Sequence, residues 1–260
     1  MSPRQSKRPN VLCFSGHDPG GGAGIHADIE AIGALGAYAL TIITAQTVQD
    51  TRNVERVVAT DLTLLAEQIV ALSADSVISA IKVGLLGEAA QVAVIARTAK
   101  HLGVPVVVDP ILRAGGGSNL ASTALIMAMQ ADLFPLTTVL TPNAAEARRL
   151  APDGESLDEC AQALAEAGCA HVLVTGGDEP GDDVVNRWHR SGHAPQSFRW
   201  PRQPETFHGA GCTLAASVAA LLAQGREVGT ALEQAQAYTQ RALQNALRTG
   251  QGRRIPGRLS

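Results

Sequence analysis

Apolar residues in this chain come in short unbroken runs, separated by stretches in which they recur every three or four positions. Val11-Leu12-Cys13-Phe14 is such a run and predicts a buried strand, ended by Ser15-Gly16. After Gly20-Gly21-Gly22-Ala23-Gly24, Ile25, Ile29 and Ile32 fall at i, i+4 and i+7, which predicts a helix. The β-branched run 40–45 predicts the next strand. Asp61 stands before a helical stripe of Leu62, Leu65, Ile69 and Leu72, in the place of a cap. Further on, strands are expected over 80–83, 104–108, 138–141 and 172–174. Helices are expected over 88–102, 120–134, 144–150, 157–167, 212–223 and 228–247. The more polar stretch around Arg187-Trp188-His189 and Phe198-Arg199-Trp200 suits a hairpin.

Strands and helices therefore alternate, and several strands are apolar without a period of two. Parallel strands covered on both faces have that character. The expected fold is α/β, three layers deep, with a mostly parallel central sheet flanked by helices. No internal repeat or linker interrupts residues 10–250, which are expected to form a single domain. Residues 1–9 are expected to be a flexible tail and 251–260 a basic one.

Composition narrows the function. The 260 residues carry 21 Lys and Arg against 24 Asp and Glu, and 3% are aromatic. A nearly neutral chain with few aromatic rings argues against a nucleic-acid partner. No run of about 20 apolar residues offers a membrane span. The 4 cysteines (Cys13, Cys160, Cys169, Cys212) form no C-x-x-C pair, which fits a reduced, cytoplasmic setting. The 26 glycines are an excess, and glycine is used where backbone turns sharply or approaches a ligand.

In an open parallel sheet, ligands bind beyond the carboxyl ends of the strands. Residues 15–24, 46–51, 84–87, 109–117, 141–146, 175–178 and 208–213 are polar or glycine-rich segments that follow the expected strands. They are expected to converge on one rim as a nucleotide or phosphate site. The sharpest is His208-Gly209-Ala210-Gly211-Cys212-Thr213 before a helix. A helix start built from small residues exposes N–H groups at the positive end of the dipole, where a phosphate can sit. Close helix packing around a buried cysteine explains the same residues. No P-loop and no dinucleotide fingerprint is present.

Ser15-Gly16-His17-Asp18-Pro19-Gly20-Gly21-Gly22-Ala23-Gly24-Ile25 with Asp28 resembles the opening of the hydroxymethylpyrimidine/phosphomethylpyrimidine kinases of thiamine biosynthesis, in the ribokinase-like superfamily. Further matches follow in order: Ile43-Thr44-Ala45 with Gln49-Asp50-Thr51, Lys82-Val83-Gly84-Leu85-Leu86, Asp109-Pro110, Thr141-Pro142-Asn143 with Glu146, Gly176-Gly177, and Gly209-Ala210-Gly211-Cys212-Thr213. The resemblance implies ATP- and Mg²⁺-dependent phosphorylation of 4-amino-5-hydroxymethyl-2-methylpyrimidine, then of its monophosphate. It also implies a homodimer.

Carried over by motif, Gly16, Asp28, Gln49 and Leu85 would bind the pyrimidine. Asn143, Thr175 and Gly177 would serve the nucleotide. Glu146 and Asp109 would hold the metal. Gly209, Ala210, Gly211 and Cys212 would form the catalytic anion hole. Each residue also has a plain structural role: Asp28 is a first-turn charge, and Asn143 with Glu146 is a capping box. Cys212 is either packing, or, with a thiol pKa lowered from ~8.5 at a helix start, an aid to deprotonation of the alcohol.

This chain departs from the family in placing Thr175 where many relatives carry Lys, Asp178 where they carry His, and Ala210 where they carry Thr or Ser. Arg113, in the segment that replaces a Lys/Ser-containing one, offers a substitute charge. Pyridoxal kinase is the nearest alternative function, and a catalytically silent pyrimidine-binding regulator is the alternative outside enzymes.

Overall fold

A computed structural model describes residues 8–113, 116–117 and 120–259. Among them, nine strands form one sheet in the order β3-β2-β1-β4-β5-β6-β7-β8-β9. The strands are β1 (Asn10–His17), β2 (Tyr38–Gln49), β3 (Val54–Ala59), β4 (Ile78–Val83), β5 (Val106–Val108), β6 (Val139–Leu140), β7 (His171–Val174), β8 (Asp183–His189) and β9 (Gln196–Pro201). From β2 to β7 all neighbours are parallel, whereas β3 pairs antiparallel with β2, and β8 and β9 extend the other edge as an antiparallel hairpin.

The eight helices are α1 (Gly24–Ala34), α2 (Leu62–Asp75), α3 (Ala90–Leu102), α4 (Thr123–Ala128), α5 (Ala144–Leu150), α6 (Leu157–Glu166), α7 (Ala210–Ala223) and α8 (Val228–Gln244). They divide by the side chains they bury. Ile32, Val218, Ala219, Leu232 and Ala235 of α1, α7 and α8 meet Val11, Cys13, Val107 and Leu173 on one face of the sheet. Leu65, Ile95, Leu125, Ala147 and Leu164 of α2 to α6 meet Leu12, Phe14, Val108 and Val172 on the other. Consecutive residues of β1 thus feed opposite cores, so the strand is apolar without alternation. The expected three-layer α/β/α architecture is the one observed.

Several boundaries moved for local reasons. The 120–134 helix begins at Thr123, because the Ser122 hydroxyl accepts from the Leu125 amide. It loosens into a wider turn over Met129–Leu133 and a tight one over Phe134–Leu136. Strand β5 excludes Val104 and Pro105; the latter has no N–H to give a ladder. Strand β3 was not anticipated. It is an edge strand with a single buried residue, Val54, and carries no clear period.

The expected C-terminal tail is corrected by the structure. Ile255, Pro256, Gly257 and Arg258 are buried. Leu247 and Ile255 exchange backbone hydrogen bonds of 2.8 and 2.9 Å. The wholly buried Arg258 guanidinium binds Glu30 at 2.9 Å, the Thr213 hydroxyl at 2.7 Å and the Gly22 carbonyl. The last turns of chain form a strap over the amino-terminal half. At the other end, the expected flexible tail falls largely on residues 1–7, outside the described residues, and the carbonyl of Pro9 already pairs with the Tyr38 amide at 2.9 Å.

Candidate active site

The chain runs from β1 to β2 in one direction along the sheet and from β4 onward in the other. The order therefore reverses beside β1, and a crevice opens above the carboxyl ends there. A cavity of about 260 Å³ lies along this rim. It is lined by Gly16, Thr47, Gln49 and Leu85 at the β1/β2/β4 end and by Asp109, Thr141, Asn143, Glu146 and Thr175 at the β5/β6/β7 end, with residues 207–212 between. Five strand spacings separate β2 from β7, a span of about 24 Å that accommodates two ligands end to end.

Of the residues expected in the site, Gly16, Gln49, Leu85, Asp109, Asn143, Glu146, Thr175, Gly209, Ala210, Gly211 and Cys212 all line this one cavity. Arg113 lines it too, its guanidinium donating to the Gly117 carbonyl at 3.1 and 3.3 Å.

Two helix starts reach the rim, and they differ. On α5 the first-turn amides are already claimed. Ala144 and Ala145 donate to the Asp178 carboxylate at 3.1 and 3.0 Å, and Glu146 donates to Asn143 Oδ1 at 2.8 Å. The Asn143 amide returns a bond to Glu146 Oε2 at 3.1 Å, completing the capping box. On α7 no side chain caps the start. Gly209 supplies the turn with φ of 88°, and a β-carbon there would fall on the Gly22 carbonyl oxygen, so glycine is required. The N–H groups that a helix start leaves over are thus on offer to a ligand at α7 and not at α5.

The first glycine-rich segment is held against this helix start. Asp18 accepts from the amides of Gly20, Gly22 and Ala23 at 2.8 to 3.0 Å and lies 2.8 Å from His208 Nε2. Burial pushes the Asp18 carboxyl up, but the His208 contact and the amides outweigh it and hold it below the ordinary value of 3.8.

A charged cluster runs from the cavity wall, where Asp109 and Glu146 stand, to the buried Lys82 and Asp28. Burial pushes Asp109 up to about 6; the Lys82 charge and a hydrogen bond from the Cys212 thiol hold it back, and Asp28 adds to the rise. Glu146 rises to about 8, through burial and then the Asp109 charge, although the amides of Asn143 and Leu112 favour its ionised form. Asp109 Oδ2 is buried without a hydrogen-bond partner.

Three expectations are corrected. Asp28 does not line the cavity. It is wholly buried in an ion pair of 2.8 Å with Lys82, and the Ser15 hydroxyl donates to it at 2.7 Å. As the fifth residue of α1 it also lies past the first turn, where a charge was expected, and the group it meets is an ammonium. Gly177 is also outside the lining; its carbonyl is drawn to Arg202 at 2.8 Å, whose guanidinium gathers the β7–β8 loop. For Cys212 the expected lowering of the thiol by the helix start is not found. Burial first and the Asp109 charge second push it up to about 12, which outweighs Lys82 and the amide of Gly24.

Sequence reasoning gave no role to Asp18, named His208 only as the first residue of its glycine-rich segment, and placed Arg253 in a tail. All three line the cavity. Asp18 had a local signal, a carboxylate ahead of glycines whose amides it can collect. Arg253 had none, because its place depends on how the strap folds back.

The phosphomethylpyrimidine kinase profile matches residues 18–256. The chain belongs to the phosphomethylpyrimidine kinase family. The hydroxymethylpyrimidine/phosphomethylpyrimidine kinase of Rhizobium meliloti is 35% identical over 94% of this chain and 94% of its own length. The thiamine biosynthesis bifunctional protein ThiED of Geobacter sulfurreducens is 36% identical over 94% of this chain, which spans about half (51%) of that relative. Among solved structures, the pyridoxal kinase of Staphylococcus aureus in complex with AMP-PCP and pyridoxal superimposes with a TM-score of 0.88 at 26% identity, over 97% of this chain and 94% of that one. The kinase family and its ribokinase-like fold thus account for nearly the whole chain.

Proposed function

We propose that the rim cavity is where this kinase transfers the terminal phosphoryl group of ATP to 4-amino-5-hydroxymethyl-2-methylpyrimidine and then to the resulting monophosphate. The observation that carries the reading is the uncapped start of α7, set between the Gly16/Gln49 end and the Asn143/Thr175 end of one cavity. The pyrimidine belongs at the first end, where the Gln49 amide can both donate and accept. The nucleotide belongs at the second, and complexes of the S. aureus relative with AMP-PCP are consistent with ATP as donor.

Phosphoryl transfer is mostly positioning and neutralisation of charge. The backbone N–H groups of residues 210–212 hold the oxygens of the group in flight, and Gly209 turns the chain so that they point into the cavity. Asp109 and Glu146 fit a magnesium ion: both carboxyl groups are buried and pushed up by that burial, Lys82 offsets it only for Asp109, and one Asp109 oxygen is orphaned. Mg²⁺ commonly binds through one or two carboxylates plus phosphates, and it would supply charge neutralisation to the nucleotide. Cys212 stays a neutral thiol, leaving room for an acceptor that is an alcohol in one step and a phosphate dianion in the next.

Pyridoxal is the second substrate to try, because a pyridoxal-binding relative shares this fold closely. ADP release is measured with the pyrimidine alcohol, its monophosphate and pyridoxal. Turnover of both pyrimidines above pyridoxal is expected. Turnover of pyridoxal alone would assign the chain to the vitamin B6 substrate, and binding without turnover would make it a regulator. No described helix is long and apolar enough to cross a membrane. The reading includes a homodimer in the cytoplasm, the first part of which light scattering checks.

A further inference from the structure

The strap that closes the C-terminus carries three arginines, and two of them are satisfied. Arg258 is bound to Glu30, Thr213 and Gly22, and Arg254 lies 3.2 Å from Glu205. Arg253 is different. It lines the cavity. Its Nε is buried without a partner, and its two amino groups make only long bonds, 3.5 Å to the Phe207 carbonyl and 3.3 Å to the Arg52 carbonyl. Among the described residues it has no ion-pair partner within 4.0 Å. The carboxylates that act on it, Asp18 and Asp50, are already engaged: Asp18 by His208 and three amides, Asp50 by the amides of Arg52 and Asn53. A guanidinium offers five donors in a fork that matches a phosphate, and here most of the fork is unused.

Its position says which phosphate. The Arg253 amide donates to the Thr51 carbonyl at 3.0 Å, and the Gly252 amide to the Thr51 hydroxyl at 2.9 Å. Thr51 belongs to the β2–β3 turn, whose flanking Gln49 and Val54 line the acceptor end of the cavity. Thr175, Asn143 and Thr141 sit at the far end of the strand order. Arg253 therefore overhangs the acceptor and not the nucleotide.

We propose that Arg253 is a specificity residue that grips the phosphate monoester of the acceptor in the second phosphorylation and is idle in the first. The inference rests on the two-step reading above. It assigns the acceptor-side cation to a residue brought by the C-terminal strap.

The test is steady-state kinetics of Arg253→Gln and Arg253→Lys against the wild type, with the pyrimidine alcohol and the monophosphate as separate acceptors. Arg253→Gln is expected to raise KM for the monophosphate about 10-fold or more, the usual weight of a charge-assisted hydrogen bond. Its KM for the alcohol should stay within about 2-fold, since no charged group is lost there. Arg253→Lys, which keeps the charge without the fork, should recover part of the loss. An unchanged melting temperature in either variant excludes a folding defect. Equal shifts for both acceptors, a shift in KM for ATP instead, or no shift at all overturns the inference. A wild type that phosphorylates neither pyrimidine sinks the two-step reading itself, which is a separate result.

Discussion

Asp18 and His208 are 190 residues apart in the chain, and their side chains meet at 2.8 Å. The contact ties the first glycine-rich segment to the start of α7, and so joins the two ends of the polypeptide at the site. Asp18 is an acid held below its ordinary value of 3.8 in the folded state. Such a group stabilises the fold fully above that value and ceases to as pH falls through the folded pKa. In an acid titration of the melting temperature, the wild type should lose stability below about pH 3.8. Asp18→Asn should show a shallower acid limb. His208→Ala removes the strongest contact favouring the carboxylate, so the folded value moves back towards 3.8 and the acid limb should become shallower here too. The same variant should also raise KM for the acceptor, as the glycine loop loosens from Gly209. An unchanged acid limb in both variants would count against the tie.

The Lys82–Asp28 pair carries a prediction that separates a substrate contact from a structural charge. Both side chains are wholly buried. Removing one partner strands the other charge, at a cost of about 3–5 kcal/mol, whereas removing both can be far milder. Asp28→Asn should therefore lower the denaturant midpoint strongly, and Lys82→Met with Asp28→Asn should recover much of it. If Asp28→Asn is as stable as the wild type and only KM for the pyrimidine rises, Asp28 reads the substrate after all.

How much of this was legible in the sequence follows from the range over which each feature is determined. The α5 capping box was readable because Asn143 and Glu146 are three residues apart and the pattern is local. The α7 start was readable for the same reason. The partner of Asp28 lies 54 residues away, on a strand whose position depends on the whole sheet order, and periodicity reports only that a side chain faces inward. The Cys212 thiol was misjudged in the same manner. The helix start alone argued for a lowered pKa, but it is reversed by burial and by the charge of Asp109, which follows β5 and lies about 100 residues away in the chain. Arg253 was unreadable, because a basic segment near a terminus looks like a solvated tail until Ile255 and Arg258 are seen to anchor it.

Glu146 gives a second pH dependence, opposite in sign to that of Asp18. Its folded value, about 8, lies above the ordinary 4.5. The folded state therefore holds a proton that the unfolded state releases, and that stabilisation is present below 4.5 and lost as pH rises towards about 8. In the absence of divalent cations, wild-type melting temperature should decline over this range, and Glu146→Gln should remove part of the slope. Magnesium must displace the same proton. Adding Mg²⁺ at neutral pH to weakly buffered protein with nucleotide should release protons, and its apparent affinity should rise with pH. Proton release that Glu146→Gln leaves unaltered would remove Glu146 from the metal site.

Cys212 is the residue on which one site for two acceptors turns. Its thiol, pushed up to about 12, is uncharged at neutral pH. In place of this sulfur a carboxylate would lie against the acceptor. For an alcohol that is tolerable, but a phosphate dianion would be repelled by ~4 kcal/mol per unit charge pair at ~4 Å and an effective dielectric of ~20. Cys212→Asp should therefore reduce kcat/KM for the monophosphate far more than for the alcohol. Cys212→Ser, neutral and close in size, should keep both activities within about an order of magnitude, since the loose transition state of phosphoryl transfer asks little of a base. A thiolate base predicts the reverse pattern: Cys212→Ser would abolish alcohol turnover, and wild-type activity would climb steeply in alkali. Measuring both acceptors with both variants decides between a sulfur present for its lack of charge and a sulfur present for its reactivity.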